Sequence, residues 1–238
     1  MRVVLGVALP YGTVPFAPMA SAFVLVRTVA LPCGRTSMPL GRRSASPTLR
    51  CMAFAVTAGG GYSVEDLDWL RDELGIAHLE LDPWGSLIVS PATDEHETAV
   101  AILHDQAVRQ LGLPPGCVRS NGLAWKAPGG SGYVNVPDLA VVAPGWTRTG
   151  DAHIEPPPLL VVEVSSPSTR TVDRIRKLAD YRLGGASLYL LVDLPGAVFE
   201  AHDFIAEEVT TASGTIDLVV AERPVRFDLT GLVTTTTT

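Results

Sequence analysis

The sequence has few cysteines and little that could form a zinc site. Cys33, Cys51 and Cys117 are far apart and form no C-x-x-C pair, so neither a structural zinc site nor a disulfide framework is predicted. This favours a reducing, cytoplasmic setting. The sequence also lacks any uninterrupted run of 18 apolar residues, which argues against a transmembrane helix and against a membrane partner.

Basic residues are also outnumbered, because 18 Lys and Arg face 25 Asp and Glu, which gives a net charge of −7. Coating nucleic acid by bulk electrostatics needs many Lys and Arg side chains, so any such contact must be local. Residues 1–51 contain six arginines and no acid, which leaves residues 52–238 with a net charge of −13. We predict a disordered extension or a start site assigned too far upstream at residues 1–62, one domain at 63–231 and a tail at 232–238. An exported leader is the alternative for the extension.

Hydrophobic periodicity predicts alternating groups of helices and strands. Ser63 and Asp66 form the start signal of one helix, and Thr93 or Asp94 starts another that ends before Gly112. A mixed β-sheet flanked by helices, an α/β fold of the α+β type, accounts for the order of elements. The predicted helices begin after residue 63 and span 94–111 and 170–183, and the predicted strands span 77–81, 86–90, 118–125, 135–143, 159–164, 187–193, 197–203, 216–221 and 225–229.

Two carboxylates stand in apolar strand segments. Asp138 follows Pro137 at the head of one segment, and Glu163 lies inside LLVVEV. Because a buried, unpaired carboxylate costs several kcal/mol, the pair calls for a cation, either a hard metal ion or a basic side chain. In the alternative interpretation, Asp138 caps a turn, and Glu163 faces solvent or pairs with Arg170.

A basic cluster follows Glu163 at once. Arg170, Arg174, Arg176, Lys177 and Arg182 gather within thirteen positions, which is the kind of local positive site that a nuclease with an acidic surface needs. Lys177 also lies four residues after Asp173, so it either forms an exposed helical ion pair or extends inward to the carboxylates.

Several short motifs in this order resemble one known family. PDLAVV, VVEVSSPST, DRIRKLADY and LYLLVDLP, preceded by LELDPWGSLIVSP and His96, are similar to motifs of the Uma-two family of restriction endonucleases in the PD-(D/E)XK nuclease superfamily. The resemblance extends from about Ser63 to Leu229 and implies a restriction-endonuclease-like fold. By that likeness Asp138 and Glu163 bind metal, with Glu80 as an additional acid. Ser165 occupies the place of the usual lysine, so the resemblance implies that Lys177 supplies the ammonium.

The expected function is that of a metal-dependent endonuclease acting on DNA. Asp138, Glu163 and Lys177 are the expected catalytic residues, with Mg²⁺ or Mn²⁺ as the cofactor. Arg170, Arg174 and His96 are the expected nucleic-acid contacts, although a lone helical histidine is more often structural or exposed. A homodimer is expected only by analogy with restriction enzymes.

Two other classes of function stay open at this point. Loss of the usual lysine and the acidic surface favour a catalytically inactive nuclease-fold protein with a nucleic-acid-binding or regulatory role. A serine hydrolase would use Ser165 or Ser166 with His96, but the sequence has no G-x-S-x-G elbow.

Overall fold

The computed structural model describes residues 25–27, 54–57, 61–74, 79–89, 93–120, 123–126, 134–146, 157–166 and 169–233. Most of the predicted extension at 1–62 and of the tail at 232–238 lies outside these residues, so the proposed domain boundaries stay predictions. No helix in the described part of the chain is long and apolar enough to cross a membrane.

One sheet, called sheet A, is entirely antiparallel. Its spatial order is β1-β2-β4-β3-β7-β6. The strands are β1 (Leu25–Arg27), β2 (Phe54–Thr57), β3 (Leu79–Leu81), β4 (Leu87–Val89), β6 (Trp125–Lys126) and β7 (Val134–Asn135). Strands β3 and β4 form the predicted hairpin, and Asp82 closes its turn by accepting the backbone N–H groups of Trp84 and Ser86.

The second sheet, called sheet B, is mixed. Its order is β12-β11-β10-β9-β8-β5, and only β9 and β10 run parallel. The helix between these two strands is the crossover connection that a parallel pair requires. The strands are β5 (Val118–Ser120), β8 (Leu139–Val141), β9 (Leu160–Ser165), β10 (Leu188–Asp193), β11 (Val198–Asp203) and β12 (Glu208–Ser213).

The helices follow the predicted cap signals. In α1 (Val64–Leu74), Ser63 and Asp66 each accept the other's backbone N–H. In α2 (Asp94–Leu111), Thr93 caps the start and Gly112 ends the helix in the left-handed conformation. The crossover helix begins with a π-helical turn, Val172–Lys177, and continues as α3 (Leu178–Leu183). A 3-10 turn (Leu194–Gly196), the hairpin β13 (Thr215–Val220) with β14 (Arg223–Asp228), and α4 (Thr230–Val233) complete the elements.

The central strands of sheet B are buried on both faces. On one face, α2 and the β13–β14 hairpin cover a core that includes Leu103, Leu139, Val162 and Phe227. On the other face, α3 covers a smaller core that includes Tyr181, Tyr189 and Leu191. Burial on both faces explains why β9 and β10 are nearly continuous apolar runs, and it makes a charged residue in β9 conspicuous.

The predicted mixed sheet with flanking helices is confirmed, but two of its strands were assigned wrongly. The predicted strand 118–125 is divided between β5 in sheet B and β6 in sheet A, and the predicted strand 135–143 is divided between β7 in sheet A and β8 in sheet B. Pro137 lies at the second division and has no N–H to donate to a ladder. The chain therefore leaves one sheet and enters the other there. Strands β1, β2 and β12 were not predicted.

Candidate active site

Asp138 and Glu163 lie opposite each other on neighbouring strands. The antiparallel register of β8 and β9 pairs Leu139 with Val162, so one step further along the register brings Asp138 opposite Glu163. Directly opposed residues of an antiparallel pair point to the same face of the sheet. Both side chains are buried. The register therefore brings the two carboxylates to the same face of sheet B.

Asp138 directly precedes β8, where the chain passes from sheet A to sheet B, and its side chain makes two contacts there. Its Oδ2 accepts the backbone N–H of Val164 at 2.7 Å. The same oxygen lies 3.2 Å from Nε2 of His96, in the first turn of α2. The other ring nitrogen of His96, Nδ1, is buried without a hydrogen-bond partner in the described structure. Because the ionised carboxylate of Asp138 can only accept, the contact assigns a proton to Nε2.

Both oxygens of Glu163 are held by side chains of the crossover helix. Oε2 accepts a hydrogen bond from the ammonium of Lys177 at 3.0 Å, and Oε1 accepts one from the hydroxyl of Tyr181 at 2.8 Å. Glu163 is only 3 % exposed. Lys177 therefore extends inward to the carboxylates, and the exposed-pair alternative for it is wrong. Arg170, the other partner considered for Glu163, pairs with Asp193 instead.

Lys177 is shared among several acids. Its Nζ lies 2.9 Å from Oε1 of Glu80, 3.0 Å from Glu163 and 3.6 Å from Oδ1 of Asp173. Asp173, Lys177 and Tyr181 follow one another at intervals of four. In an α-helix, residues four positions apart differ in direction by about 40° around the helix axis. The wider π-helical turn between Asp173 and Lys177 opposes this rotation, so the three side chains stay on the face towards Glu163.

Glu80 comes from the other sheet. It lies in β3, where its Oε1 also accepts the backbone N–H of Val136 at 2.9 Å. Glu80 is buried, so it does not face solvent. Near it, Arg176 donates to Oδ1 of Asn135 at 3.1 Å, and Asn135 donates to Asp180 at 3.0 Å. These contacts tie sheet A to the crossover helix and so bring Glu80 to Lys177.

The carboxylates around Lys177 outnumber the cations, and this shifts their protonation. Burial raises the pKa of Glu163 well above its usual value, and the charges of Asp138, Asp173 and Glu80 raise it further, against the opposing effect of Lys177. Burial likewise raises the pKa of Asp173. Burial lowers the pKa of Lys177, but the four surrounding carboxylates outweigh it and leave that pKa well above normal. Lys177 therefore stays an ammonium, and burial favours the protonated forms of Glu163 and Asp173.

The contact of His96 with Asp138 stabilises the charged form of both groups. Burial by itself lowers the pKa of His96, but the hydrogen bond and the charge of Asp138 raise it above 6.5. Burial by itself raises the pKa of Asp138, but the contact with His96, the charge of Lys177 and the N–H of Val164 lower it below 3.8. Near neutral pH, Asp138 is thus an anion beside a histidine that is readily protonated.

The donor chemistry of this site fits a hard divalent cation. Mg²⁺ and Mn²⁺ prefer oxygen ligands, and Asp138, Glu163 and Glu80 supply carboxylate oxygens where negative charge is in excess. In the described ranges, however, no three acidic, His or Cys side chains converge as a ready metal-binding group.

The predicted nucleic-acid contacts are engaged within the protein. Arg170 pairs with Asp193 at 2.6 Å and Arg174 with Glu200 at 2.8 Å, both at the surface of sheet B. His96 faces Asp138. The serine-hydrolase alternative gains no support, because the hydroxyl of buried Ser165 donates to the carbonyl of Val192 and His96 contacts an acid.

The sequence did not predict the contacts of two site residues, or the set of contacts that holds sheet A against the crossover helix. The contact of Tyr181 with Glu163 was not predicted, and Asp173 was considered only as one half of a helical ion pair with Lys177. The repeated spacing of four from Asp173 through Lys177 to Tyr181 was the available signal. The Arg176, Asn135 and Asp180 contacts had no sequence signal, because they join residues that are 41 and 45 positions apart.

Comparison with known proteins agrees with a nuclease-like chain. The family model Uma2, described as "Putative restriction endonuclease", matches residues 65–212, more than half of the chain. A similar solved structure is that of "a putative nuclease belonging to DUF820" from Anabaena variabilis ATCC 29413. It is 14% identical, has a TM-score of 0.46, and the match covers 63% of this chain and 83% of that chain. The sequence matches none of the curated proteins with which it was compared.

Proposed function

The chain belongs to the Uma2 family, and from this premise we propose that it is a metal-dependent endonuclease that hydrolyses DNA phosphodiester bonds. One observation carries the proposal. Two buried carboxylates from adjacent strands, Asp138 and Glu163, share one face of sheet B, and the ammonium of Lys177 contacts Glu163 beside them. Acids in an apolar core are costly to a fold, so their presence calls for a functional reason.

Asp138 and Glu163 would hold a Mg²⁺ or Mn²⁺ ion, with Glu80 as a further oxygen donor. When bound, such an ion polarises a phosphate and lowers the pKa of an attacking water. The excess of carboxylates over cations supports this assignment, because a divalent cation would oppose the burial and the mutual repulsion that raise the pKa of Glu163.

The chain's own residues have separate roles in this proposal. Lys177 remains protonated and, near the carboxylates, offsets the negative charge that grows on the phosphate in the transition state. Asp138 is kept ionised and fixed by the N–H of Val164 and by His96. His96 therefore orients an acid in this structure, and a phosphate contact would require it to turn away from Asp138.

DNA would be received along the outer side of the crossover helix. Arg170 and Arg174 are 40% and 42% exposed, and exposed ion pairs contribute little to stability. Their guanidinium groups can therefore exchange Asp193 and Glu200 for phosphate oxygens at small cost. With a net charge of −7, such local contacts have to provide the affinity.

A second function is favoured by one specific observation. Both oxygens of Glu163 already accept hydrogen bonds, from Lys177 and Tyr181, and Ser165 stands where the superfamily usually has lysine. If Lys177 alone neutralises the carboxylates, then no metal ion is needed there, and the protein would bind nucleic acid without cleaving it. The two functions differ in whether metal binds and whether phosphodiester bonds break.

The test is cleavage of plasmid DNA, single-stranded DNA and RNA by the full chain, with Mg²⁺, with Mn²⁺ and with chelator. Asp138→Asn and Glu163→Gln should abolish metal-dependent cleavage. Glu208→Gln, the same isosteric change at an exposed position of sheet B, should retain it. Absence of cleavage, together with absence of heat on titration with Mg²⁺ or Mn²⁺, would overturn the nuclease proposal in favour of the binding role.

A further inference from the structure

Tyr181 has a hydroxyl that the proposed mechanism does not use. Its side chain is fully buried, and the hydroxyl donates to Oε1 of Glu163 at 2.8 Å. A core position could equally hold phenylalanine, which would fill the same space and leave no polar atom. The hydroxyl is therefore explained by its contact with the carboxylate.

Two donors fix the Glu163 carboxylate where one would not. The terminal torsion of a glutamate side chain has a broad, roughly two-fold distribution, so a single hydrogen bond leaves the carboxylate plane poorly defined. Here Lys177 takes one oxygen and Tyr181 takes the other. Both donors project from successive turns of the same helix, so one rigid element sets the plane of the carboxylate.

The phenol is itself held firmly. Its ring is tilted against Trp125 at a centroid distance of 5.1 Å and stacked with Tyr189 at 5.6 Å. Trp125 in turn packs so closely on Gly184 that a Cβ there would lie 1.9 Å from a ring atom. Burial and the neighbouring carboxylates also raise the pKa of Tyr181 well above normal, so the hydroxyl remains a donor at any pH of interest.

We infer that Tyr181 is a positioning residue that fixes the plane of the Glu163 carboxylate and, through it, the location of the Lys177 ammonium. The catalytic consequence of this inference rests on the proposed function. The geometric consequence does not, because Lys177 and Glu163 are in contact whether or not the protein cleaves DNA.

The experiment compares wild type, Tyr181→Phe and Tyr189→Phe. Both variants remove one buried hydroxyl from the same aromatic stack. The hydroxyl of Tyr189 donates to the carbonyl of Asp173 at 3.0 Å, and that carbonyl also accepts the N–H of Leu178. Removing it therefore leaves no unpaired acceptor and no loosened carboxylate, which makes Tyr189→Phe the matched control.

The primary measurement is the rate at which Lys177 is dimethylated by formaldehyde and a borane reductant, read by mass spectrometry. The chain has only two lysines, Lys126 and Lys177, so Lys126 serves as the internal reference. We expect labelling of Lys177 to rise about tenfold in Tyr181→Phe, because a buried acceptor left unpaired shifts a local equilibrium by a factor of this size. In Tyr189→Phe it should stay at the wild-type rate.

A second measurement connects the geometry to cleavage. At saturating metal, Tyr181→Phe should lower kcat about tenfold and leave the KM for DNA unchanged, because the hydroxyl contacts a carboxylate and no DNA-binding group. Wild-type labelling of Lys177 in Tyr181→Phe, or an equal rise in both variants, would overturn the positioning role. If wild type cleaves nothing, the labelling result still decides the inference, and only the proposed function fails.

Discussion

The ammonium of Lys177 lies 3.0 Å from Oε2 of Glu163 inside the protein, where both residues are less than a tenth exposed. The two residues are fourteen positions apart and belong to a strand and to the helix that packs on it. The contact makes a charged residue acceptable in β9, and it explains why a basic residue follows this strand so closely.

Lys177→Met should destabilise the protein strongly. The substitution keeps most of the side-chain volume but leaves the surrounding carboxylates without their ammonium, and removing one partner of a buried ion pair typically costs about 3–5 kcal/mol. Urea unfolding at pH 7 measures the change. The double variant Glu163→Gln with Lys177→Met should be more stable than Lys177→Met alone, because it removes one of the uncompensated charges. If Glu163→Gln changes the free energy of unfolding by the same amount in the wild type and in Lys177→Met, the pair is not coupled.

The His96 contact should make stability depend on pH in a defined direction. The pKa of His96 is raised in the folded state, so its stabilising contribution is fully present below about pH 6.5 and is lost as pH rises through the folded pKa. The loss of unfolding free energy in His96→Gln should therefore be largest near pH 5.5 and smaller at pH 9. His104→Gln, on the same helix, controls for the change in helix propensity. A loss independent of pH would contradict the contact.

Asp138 should respond to pH in the opposite sense. Its pKa is lowered in the folded state, so its contribution is present above about pH 3.8 and is lost as pH falls through the folded pKa. Urea titrations of Asp138→Asn and wild type should diverge above pH 4 and converge in stronger acid. If the two proteins differ most at the lowest pH at which wild type folds, then Asp138 is not stabilised as an anion.

Gly184→Ala should be disruptive for a steric reason alone. The backbone at Gly184 has a φ of −75°, which alanine adopts without strain, but the added Cβ would lie 1.9 Å from the Trp125 ring. Overpacking of this kind costs about 3 kcal/mol, measured as a lower Tm. Gly231→Ala, where nothing lies within 4 Å of the added Cβ, is the control and should leave the Tm nearly unchanged.

Arg174→Ala should weaken DNA binding without altering sequence preference. If its guanidinium exchanges Glu200 for a phosphate, then the slope of log affinity against log salt concentration falls by about 1. Fluorescence anisotropy across a salt series measures this slope. Arg226→Ala removes another surface-exposed, ion-paired arginine, on the β13–β14 hairpin, and should leave the slope unchanged. Identical slopes for both variants would exclude Arg174 as a phosphate contact.

Local signals predicted the helices well. The bounds of α2 agree with the prediction, because Thr93, Gly112 and the apolar spacing between them act within a few residues. The crossover helix was also expected, but its first turn is π-helical. No propensity indicates that turn, because the arrangement depends on how Asp173 and Lys177 meet the acids of other elements.

The sequence by itself determined the apolar strands, the helix caps and the presence of acids where apolar residues were expected. Such features depend on neighbours along the chain. Only the tertiary structure decided that 118–125 and 135–143 each divide between two sheets, that Glu80 crosses from sheet A to Lys177, and that Tyr181 donates to Glu163. Alternation of side chains fixes which residues share a face, but it does not specify which strand or helix lies beside them. That choice depends on packing between elements distant in sequence, and the direction of a long lysine side chain follows from it.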